Sequence, residues 1–393
     1  MGQRSRKVRT ATPLVNVFSS MHDPRSTRGR KHPLVNVVVI AICGVICGAD
    51  SWVGIEEWAE AKEQWLAGFL DMSEGVPSHD TLGRVFAVLS PKAFQEAFTR
   101  WVEGLDICVE GRVVAIDGKT LRRSHDKSRG RAPIHMVNAW CTALGVSLGQ
   151  VTTDEKSNEI TAIPELLEQL MLEGAIVTID AMGCQKNIAS AIRDRGGDYL
   201  LAVKNNHPTL LADIQARFDS VLARDIPLKA LHTAESSERG HGRHDERTTY
   251  VLPVPKGTHG REDWRDLRSI VMVESVRTVD GKSSCNHRFY ISSLTPRNAQ
   301  RFHDAAREHW GVENGLHWVL DLAFREDESR VRIGHAAENL GRIRQMALNL
   351  LKQDKSVKLG IKNKRLRAGW DEAYLRKLLA LQRVDGSTLQ ANG

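Results

Sequence analysis

Three acidic residues are candidates for metal-dependent chemistry because of the segments that surround them. Asp117 ends the apolar run 113–116, and Asp180 ends a second apolar run, 175–179. Glu313 lies in a segment rich in histidine and tryptophan. A carboxylate at the end of a buried strand is costly to desolvate unless a cation or water receives it. We therefore expect Asp117, Asp180 and Glu313 to converge on divalent metal.

The chemistry that this set of residues favours is the cleavage and transfer of phosphodiester bonds. Two Mg²⁺ ions about 3.5–4 Å apart can activate the nucleophile and stabilise the leaving oxygen when carboxylates hold them. Mg²⁺ prefers hard oxygen ligands and keeps several waters, so a few carboxylates suffice, and Mn²⁺ could substitute. An exposed strand-end aspartate or a surface glutamate is common by itself. Two strand-end aspartates together with a glutamate beside aromatic residues are much less common.

Basic and aromatic residues near these carboxylates are candidates for DNA contact. Lys119 and Arg122 follow the first aspartate, and Lys204 follows the fifth predicted strand, at sheet edges where phosphates would run. Trp310 and Trp318 could stack on an unpaired base near the cleavage point. For these two indoles, burial in the core is at least as probable an interpretation as stacking on DNA.

Composition limits the functional classes. The chain has 393 residues, a formal net charge of +7 and a sequence pI of about 9.1. This balance is compatible with a polyanionic partner, although many unrelated proteins share it. The sequence has no Walker A run, no dinucleotide glycine fingerprint after a strand and no HExxH motif, which argues against a nucleotide cofactor and a zinc peptidase. His241 and His244 lack a second ligand pair, so a zinc site there is improbable.

The longest apolar segment, residues 34–49, indicates a buried core helix. Its 16 residues are fewer than the roughly 20 that a membrane span requires. It also starts too late for a signal peptide. We therefore expect no membrane association and a cytoplasmic, nucleoid-associated protein.

The order of predicted elements indicates an α/β fold: an all-α N-terminal domain and a ribonuclease-H-like catalytic core with a β-rich insertion. Three consecutive strands, then helix, strand, helix and strand, are predicted between residues 113 and 203. In such a sheet the first and fourth strands are neighbours, which would place Asp117 beside Asp180. We expect a helical domain over 1–110, a catalytic domain over 111–352 with an insertion at about 207–297, and a basic tail over 353–393.

The N-terminal helices form a candidate DNA-binding unit. Helical periodicity after Pro77 and after Ser90 predicts two short helices joined by a short turn, as in a helix-turn-helix. His79, Asp80 and Arg84 would lie near an exposed helix start. Any small helical bundle would give the same periodicity.

Several strings together resemble the DDE transposases of bacterial insertion sequences, in particular the H-repeat-associated group. They are Asp23-Pro24-Arg25 with 29–34, 115–122, 149–151, 154–161, Asp180-Ala181, 203–208, 309–318 and Glu326-Asp327 before Arg330. They cover nearly the whole chain and are long enough to be specific.

The resemblance implies cut-and-paste DNA transposition that depends on Mg²⁺, with Asp117, Asp180 and Glu313 as the catalytic carboxylates. It also implies double-stranded DNA partners, namely terminal inverted repeats and target DNA, and a homodimer in a synaptic complex. Related transposases carry a tyrosine and an arginine before the glutamate and a lysine seven residues after it. Here those positions hold Ala306, His309 and Leu320, so His309 or His317 would have to replace them in gripping DNA.

Two other functions remain open from the sequence. A catalytically inactive relative could bind the element's ends without cutting them. A structure-specific nuclease could cut DNA without strand transfer. The presence of all three carboxylates argues against a loss of chemistry.

Overall fold

The computed structural model describes residues 14–28, 30–105, 107–125, 132–153, 159–223, 228–240 and 242–379. The basic cluster at residues 4–9, residues 154–158 of the family strings, His241 and the last residues of the predicted tail lie outside these ranges. The chain divides into two compact units. A helical unit comprises residues 1–107, 121–134 and 318–393, and a sheet unit comprises 108–120 and 135–317.

The structure has the following helices and strands. The helices are α1 (Leu14–Ser19), α2 (Leu34–Ile46), α3 (Trp52–Ala61), α4 (Glu63–Leu66), α5 (His79–Val88), α6 (Pro91–Glu103), α7 (Glu159–Glu168), α8 (Lys186–Asp194), α9 (Pro208–Leu222), α10 (Ala299–His309), α11 (Trp318–Phe324), α12 (Ala336–Gln353), α13 (Ile361–Trp370) and α14 (Glu372–Leu378). The strands are β1 (Val113–Thr120), β2 (His135–Cys141), β3 (Val146–Thr153), β4 (Ile176–Ile179), β5 (Asp198–Val203), β6 (His232–Gly240), β7 (Arg243–Pro253), β8 (Ser269–Val279) and β9 (Lys282–Ser292).

The helical unit is built around α2, which is buried along almost its whole length, as the sequence predicted. The Arg365 guanidinium donates to the Val45 carbonyl oxygen at 2.8 Å, near the end of α2, and to Asp50 Oδ1 at 2.7 Å. A cation in this position stabilises the negative end of the helix dipole. α5 and α6 are the two short helices that the sequence predicted, and the side chains of Ser78 and Ser90 cap their first turns.

The sheet unit contains one nine-stranded sheet with the order β3-β2-β1-β4-β5-β9-β8-β7-β6. β1 pairs with β4 in parallel, as the sequence predicted, while β1–β2–β3 and β5–β9–β8–β7–β6 are antiparallel. Phe302 and Ala305 of α10 pack on Val113, Ile176 and Leu200 from three neighbouring strands. α10 is therefore fixed against the strands that carry the two aspartates.

One prediction about this unit was wrong. β1 does not end at Asp117 but continues to Thr120, because β2 pairs with it through that residue. The segment predicted as a β-rich insertion contains β6 to β9 and also α9, which begins at residue 208. Residues 232–240 form β6, although they contain few apolar residues, because the strand is mostly exposed and gives no core-facing pattern.

Within the described residues, none of the helices is long and apolar enough to cross a membrane. α14 starts after Asp371, whose side chain caps the helix by accepting from the Tyr374 backbone N–H at 3.0 Å. α13, which carries much of the basic character of this region, was not predicted as a helix.

Candidate active site

Asp117 and Asp180 are neighbours because of the register between their strands. The parallel pairing of β1 with β4 ends at Ile116 opposite Ile179, and each aspartate is the next residue of its chain segment. Asp180 is exposed, and its Oδ1 accepts backbone N–H groups of Met182 at 3.0 Å and Gly183 at 3.4 Å. A turn of this type orients a short acidic side chain. The two strands therefore place two carboxylates side by side at the point where they separate.

Glu313 reaches Asp117 from a π-helical turn, Glu313–His317, that follows α10. Single π-helical turns inside helices are frequent at functional sites. Oxygens of Asp117 and Glu313 and a ring nitrogen of His317 all lie within 4.8 Å of one another. The His317 Nδ1 atom is 3.5 Å from Asp117 Oδ2 and 3.5 Å from Glu313 Oε2. Asp180 does not belong to this three-residue group, although its charge acts on Asp117.

The ionisation of Asp117 is strongly perturbed. Burial, together with the negative charges of Glu313 and Asp180, raises its pKa to about 7. This is the expected response of a carboxyl group that loses water while like charges approach. Glu313 has more contact with solvent, since 57% of its side chain is exposed, whereas His317 is buried. A cation in the cluster would offset both the lost hydration of Asp117 and the repulsion between the carboxylates.

Two glycines allow the glutamate segment to approach the sheet closely. A Cβ atom added to Gly311 would overlap Thr142, and one added to Gly315 would lie 3.1 Å from the Trp140 ring. Glycine inside a helix costs about 1 kcal/mol relative to alanine. The close approach to Thr142 and Trp140 is the physical reason for glycine at both positions.

A buried pair that the sequence did not single out supports β1 next to Asp117. His135 Nε2 hydrogen-bonds Glu159 Oε1, and His135 Nδ1 lies 2.9 Å from Thr120 Oγ1. A Cβ atom on Gly118 would overlap both His135 and Glu159, so only glycine fits beneath them. The available signal was Glu159 itself, which lies in one of the strings shared with the family but carried no predicted role.

The predicted DNA contacts fall into both units. In the sheet unit, Lys119 is half-buried within β1 and Lys204 is exposed after β5. The turn that follows Lys204 is tied to the segment after Asp180, because the Asn206 side chain donates to the Ala181 carbonyl oxygen at 2.6 Å. In the helical unit, the exposed Arg122 lies 3.3 Å from Asp327 in an ion pair.

The two candidate stacking tryptophans are both exposed, so the alternative that they are core residues is wrong. Trp310 of the sheet unit is 47% exposed and Trp318 of the helical unit is 61% exposed. The Arg288 guanidinium lies 4.5 Å from the centroid of the Trp310 ring. His309, in contrast, is partly buried, and its Nδ1 lies 3.0 Å from Thr178 Oγ1 on β4. Burial lowers the pKa of His309, which favours its neutral form.

Comparisons with known proteins agree with the resemblance found in the sequence. Residues 110–350 match the family model described as "Transposase DDE domain", and residues 15–102 match the one described as "DDE_Tnp_1-associated". The chain is 40% identical over 377 residues to the "H repeat-associated putative transposase YhhI" of Escherichia coli, covering 93% of this chain and 97% of the relative. It is 40% identical over 371 residues to the "Putative transposase YncI" of another Escherichia coli strain, covering 93% and 94%.

One solved structure that the chain matches is the cryo-EM structure of the piggyBac transposase synaptic complex with hairpin DNA. The match has a TM-score of 0.39 and 10% sequence identity, and it covers 96% of this chain and 78% of the other.

Proposed function

The chain belongs to the transposase family defined by the DDE domain, and we propose from this premise that it is an active DNA transposase. It would bind the terminal inverted repeats of a bacterial insertion sequence and catalyse metal-dependent strand cleavage and strand transfer. The observation that carries the proposal is the cluster of Asp117, Glu313 and His317, whose ligand atoms lie within 4.8 Å of one another, with the charge of Asp180 acting on Asp117. Within the sheet unit, the order of β1 to β5 supports a ribonuclease-H-like core.

The side chains of this cluster fit a pair of Mg²⁺ ions. Asp117, Asp180 and Glu313 offer carboxylate oxygens, the ligand type that Mg²⁺ prefers, and Mn²⁺ accepts the same set. Burial and the charges of Glu313 and Asp180 raise the pKa of Asp117, so a bound cation would favour its charged form. When bound, the ions would supply an activated nucleophile and stabilisation of the leaving oxygen.

The protein's own groups would orient the ligands and the DNA. The turn after Asp180 fixes that carboxylate through two backbone N–H groups. His317, 3.5 Å from both Asp117 and Glu313, can hold the glutamate toward the aspartate. His309 contacts β4 through Thr178 and would support the same edge rather than reach DNA directly.

We assign DNA contact to basic and aromatic residues on the surface of each unit. Lys119 and Lys204 of the sheet unit and Arg122 of the helical unit would contact phosphates. Trp310 and Trp318 expose enough of their rings to stack on an unpaired base.

The remaining assignments concern regions and partners. We propose that residues 1–110 bind DNA, that residues 111–352 catalyse, and that the basic residues of 353–393 add non-specific affinity for DNA. Catalysis on two element ends would require a homodimer in a synaptic complex. Such a protein would act at the bacterial nucleoid.

The test is an incubation of the full chain with DNA that carries candidate inverted repeats, with Mg²⁺ or Mn²⁺. Cleavage followed by joining supports a transposase. Binding without cleavage identifies an inactive end-binding relative, and cleavage without joining identifies a nuclease, so either result contradicts the proposal.

Two matched variants test whether cleavage depends on the proposed metal site. Asp117→Ala should abolish cleavage and leave DNA affinity largely unchanged, because Asp117 would hold metal rather than DNA. Asp219→Ala removes the same charge from an exposed position of α9 and should cut like the wild type. Normal cleavage by Asp117→Ala would refute the assignment of the site.

A further inference from the structure

Four arginines and one tryptophan surround a cavity of about 410 Å³ in the sheet unit, which we call the arginine groove. Its defining residues are Arg247 of β7, Arg277 of β8, Arg288 of β9, Arg307 of α10 and Trp310.

Strand register explains why three of these arginines share one face of the sheet. Arg247 is paired with Ser275, and Val273, two residues earlier on β8, is paired with Arg288. Directly paired residues and residues two apart on a strand point to the same face. Arg277 is two residues after Ser275 on β8, so its side chain points to this face as well. α10 packs on β6 and β7 and contributes Arg307, so the groove has a basic floor and a basic wall.

We propose that the arginine groove binds the phosphates of an unpaired DNA strand at the element's end, and that Glu238 occupies the phosphate position when DNA is absent. This inference rests on the proposed function, since it names the surface that would guide DNA to the carboxylate cluster. The groove and the cluster are adjacent because Asn314, which lines the groove, directly follows Glu313 in the sequence.

Glu238 of β6 contacts two of the arginines in the manner of a bound phosphate. One carboxylate oxygen lies 3.4 Å from Arg247 Nη1, and the other accepts a hydrogen bond from Arg307 Nη2. Guanidinium groups form charge-assisted contacts with carboxylate and phosphate oxygens alike, so a phosphate can take the place of the Glu238 carboxylate between the two arginines. Glu238 is 48% exposed, and its exchange for a phosphate therefore requires little desolvation.

Arg288 and Trp310 form the part of the groove that can contact a nucleotide. The guanidinium of Arg288 lies 4.5 Å from the centre of the indole, close enough for a cation–π contact. The contact holds Arg288 at the rim, where a phosphate can meet it, while the exposed part of the indole offers an apolar surface to a base.

Arg277 is held by a different acidic residue. Asp245 Oδ1 lies 2.6 Å from Arg277 Nε, and Asp245 is buried. The Arg277 guanidinium holds the pKa of Asp245 below its usual range despite the desolvation of the carboxyl group. Asp245 therefore stays charged and fixes Arg277, whereas the exposed Glu238 is free to be exchanged for a ligand anion.

The test measures DNA binding in EDTA, so that cleavage plays no part. The probe is a fluorescent 30-base-pair duplex of the candidate end sequence with a short unpaired extension on one strand, followed by anisotropy. Glu238→Gln should raise affinity about threefold to tenfold, since two ion pairs that compete with phosphate are lost. Arg288→Gln should lower affinity and reduce the slope of log K against log salt by about 1.

Glu246→Gln is the matched control. Glu246 lies on β7 next to Arg247, so its side chain points to the opposite face of the sheet, and it is 54% exposed. The substitution makes the same change in net charge as Glu238→Gln and should leave affinity nearly unchanged. Thermal denaturation of each variant checks that it is folded, and Arg307→Gln provides a second loss-of-contact variant.

The outcomes distinguish the inference from the proposed function. The groove proposal would be overturned if Glu238→Gln and Glu246→Gln raised DNA affinity equally, or if Arg288→Gln and Arg307→Gln bound DNA as the wild type does. In either case a wild-type protein that binds DNA would leave the proposed function intact. A wild-type protein that binds no DNA of any sequence would overturn the proposed function and the groove together.

Discussion

Replacing Asp117 with asparagine should stabilise the metal-free protein at alkaline pH. Burial, then the charges of Glu313 and Asp180, raise the pKa of Asp117 from 3.8 to about 7. Asparagine has nearly the shape of the protonated aspartic acid and carries no charge. The variant therefore removes the cost of ionising this side chain in the folded protein.

The size and sign of the effect follow from the two pKa values. Because the folded-state pKa lies above the unfolded one, the folded protein binds more protons between about pH 4 and pH 7, and its stability falls as pH rises through that window. One pKa unit corresponds to about 1.4 kcal/mol, so the loss approaches roughly 4 kcal/mol above pH 7. We expect Asp117→Asn to be more stable than the wild type by about 2–4 kcal/mol at pH 8 and equally stable at pH 4.

The assay is urea denaturation in EDTA at pH 4, 6 and 8, repeated at pH 8 with saturating Mg²⁺. A ligand that binds only the folded protein at one hundred times its dissociation constant adds about 2.7 kcal/mol, and only the wild type should gain it. An advantage of the variant that is the same at pH 4 and pH 8 would refute the reasoning. So would equal stabilisation of both proteins by Mg²⁺.

Three further substitutions test packing in each unit and the proposed stacking on an unpaired base. Gly118→Ala should cost about 1–3 kcal/mol of stability in thermal melts, because the new methyl group overlaps the His135–Glu159 pair; an unchanged melt would contradict this packing. Trp310→Ala should weaken binding of DNA with an unpaired end by about 1–3 kcal/mol and leave fully paired DNA unaffected, so an equal loss for both would exclude stacking. Asn339→Leu should cost about 2–4 kcal/mol, because its side chain donates to two carbonyl oxygens near the end of α5, and retention of stability would show those bonds to be dispensable.

The sequence predicted the strands that bury both faces and the adjacency of the two aspartates. β1, β4 and β5 are short apolar runs, and such runs are recognisable because each residue meets a packed layer. The parallel neighbourhood of β1 and β4 followed from the order of elements alone.

Features that depend on exposed residues or on distant partners were not predictable in the same way. β6 is held by pairing with β7, and its polar side chains do not show which face is covered. The π-helical turn at Glu313 depends on the fit of two glycines to Thr142 and Trp140, which only the folded sheet reveals. The His135–Glu159 pair joins residues whose relation is set by β2 and α7 rather than by spacing along the chain.

The most direct measurement of the central proposal is hydroxyl-radical cleavage of the polypeptide by iron bound in place of magnesium. Fe²⁺, ascorbate and peroxide would cut the backbone only near the bound ion, and mass spectrometry would locate the cuts. Shared coordination predicts simultaneous cuts near Asp117, Asp180 and Glu313, all suppressed by excess Mg²⁺ and all absent in Asp117→Ala. Cuts that spare the glutamate segment, or that persist unchanged in Asp117→Ala, would contradict a common metal site.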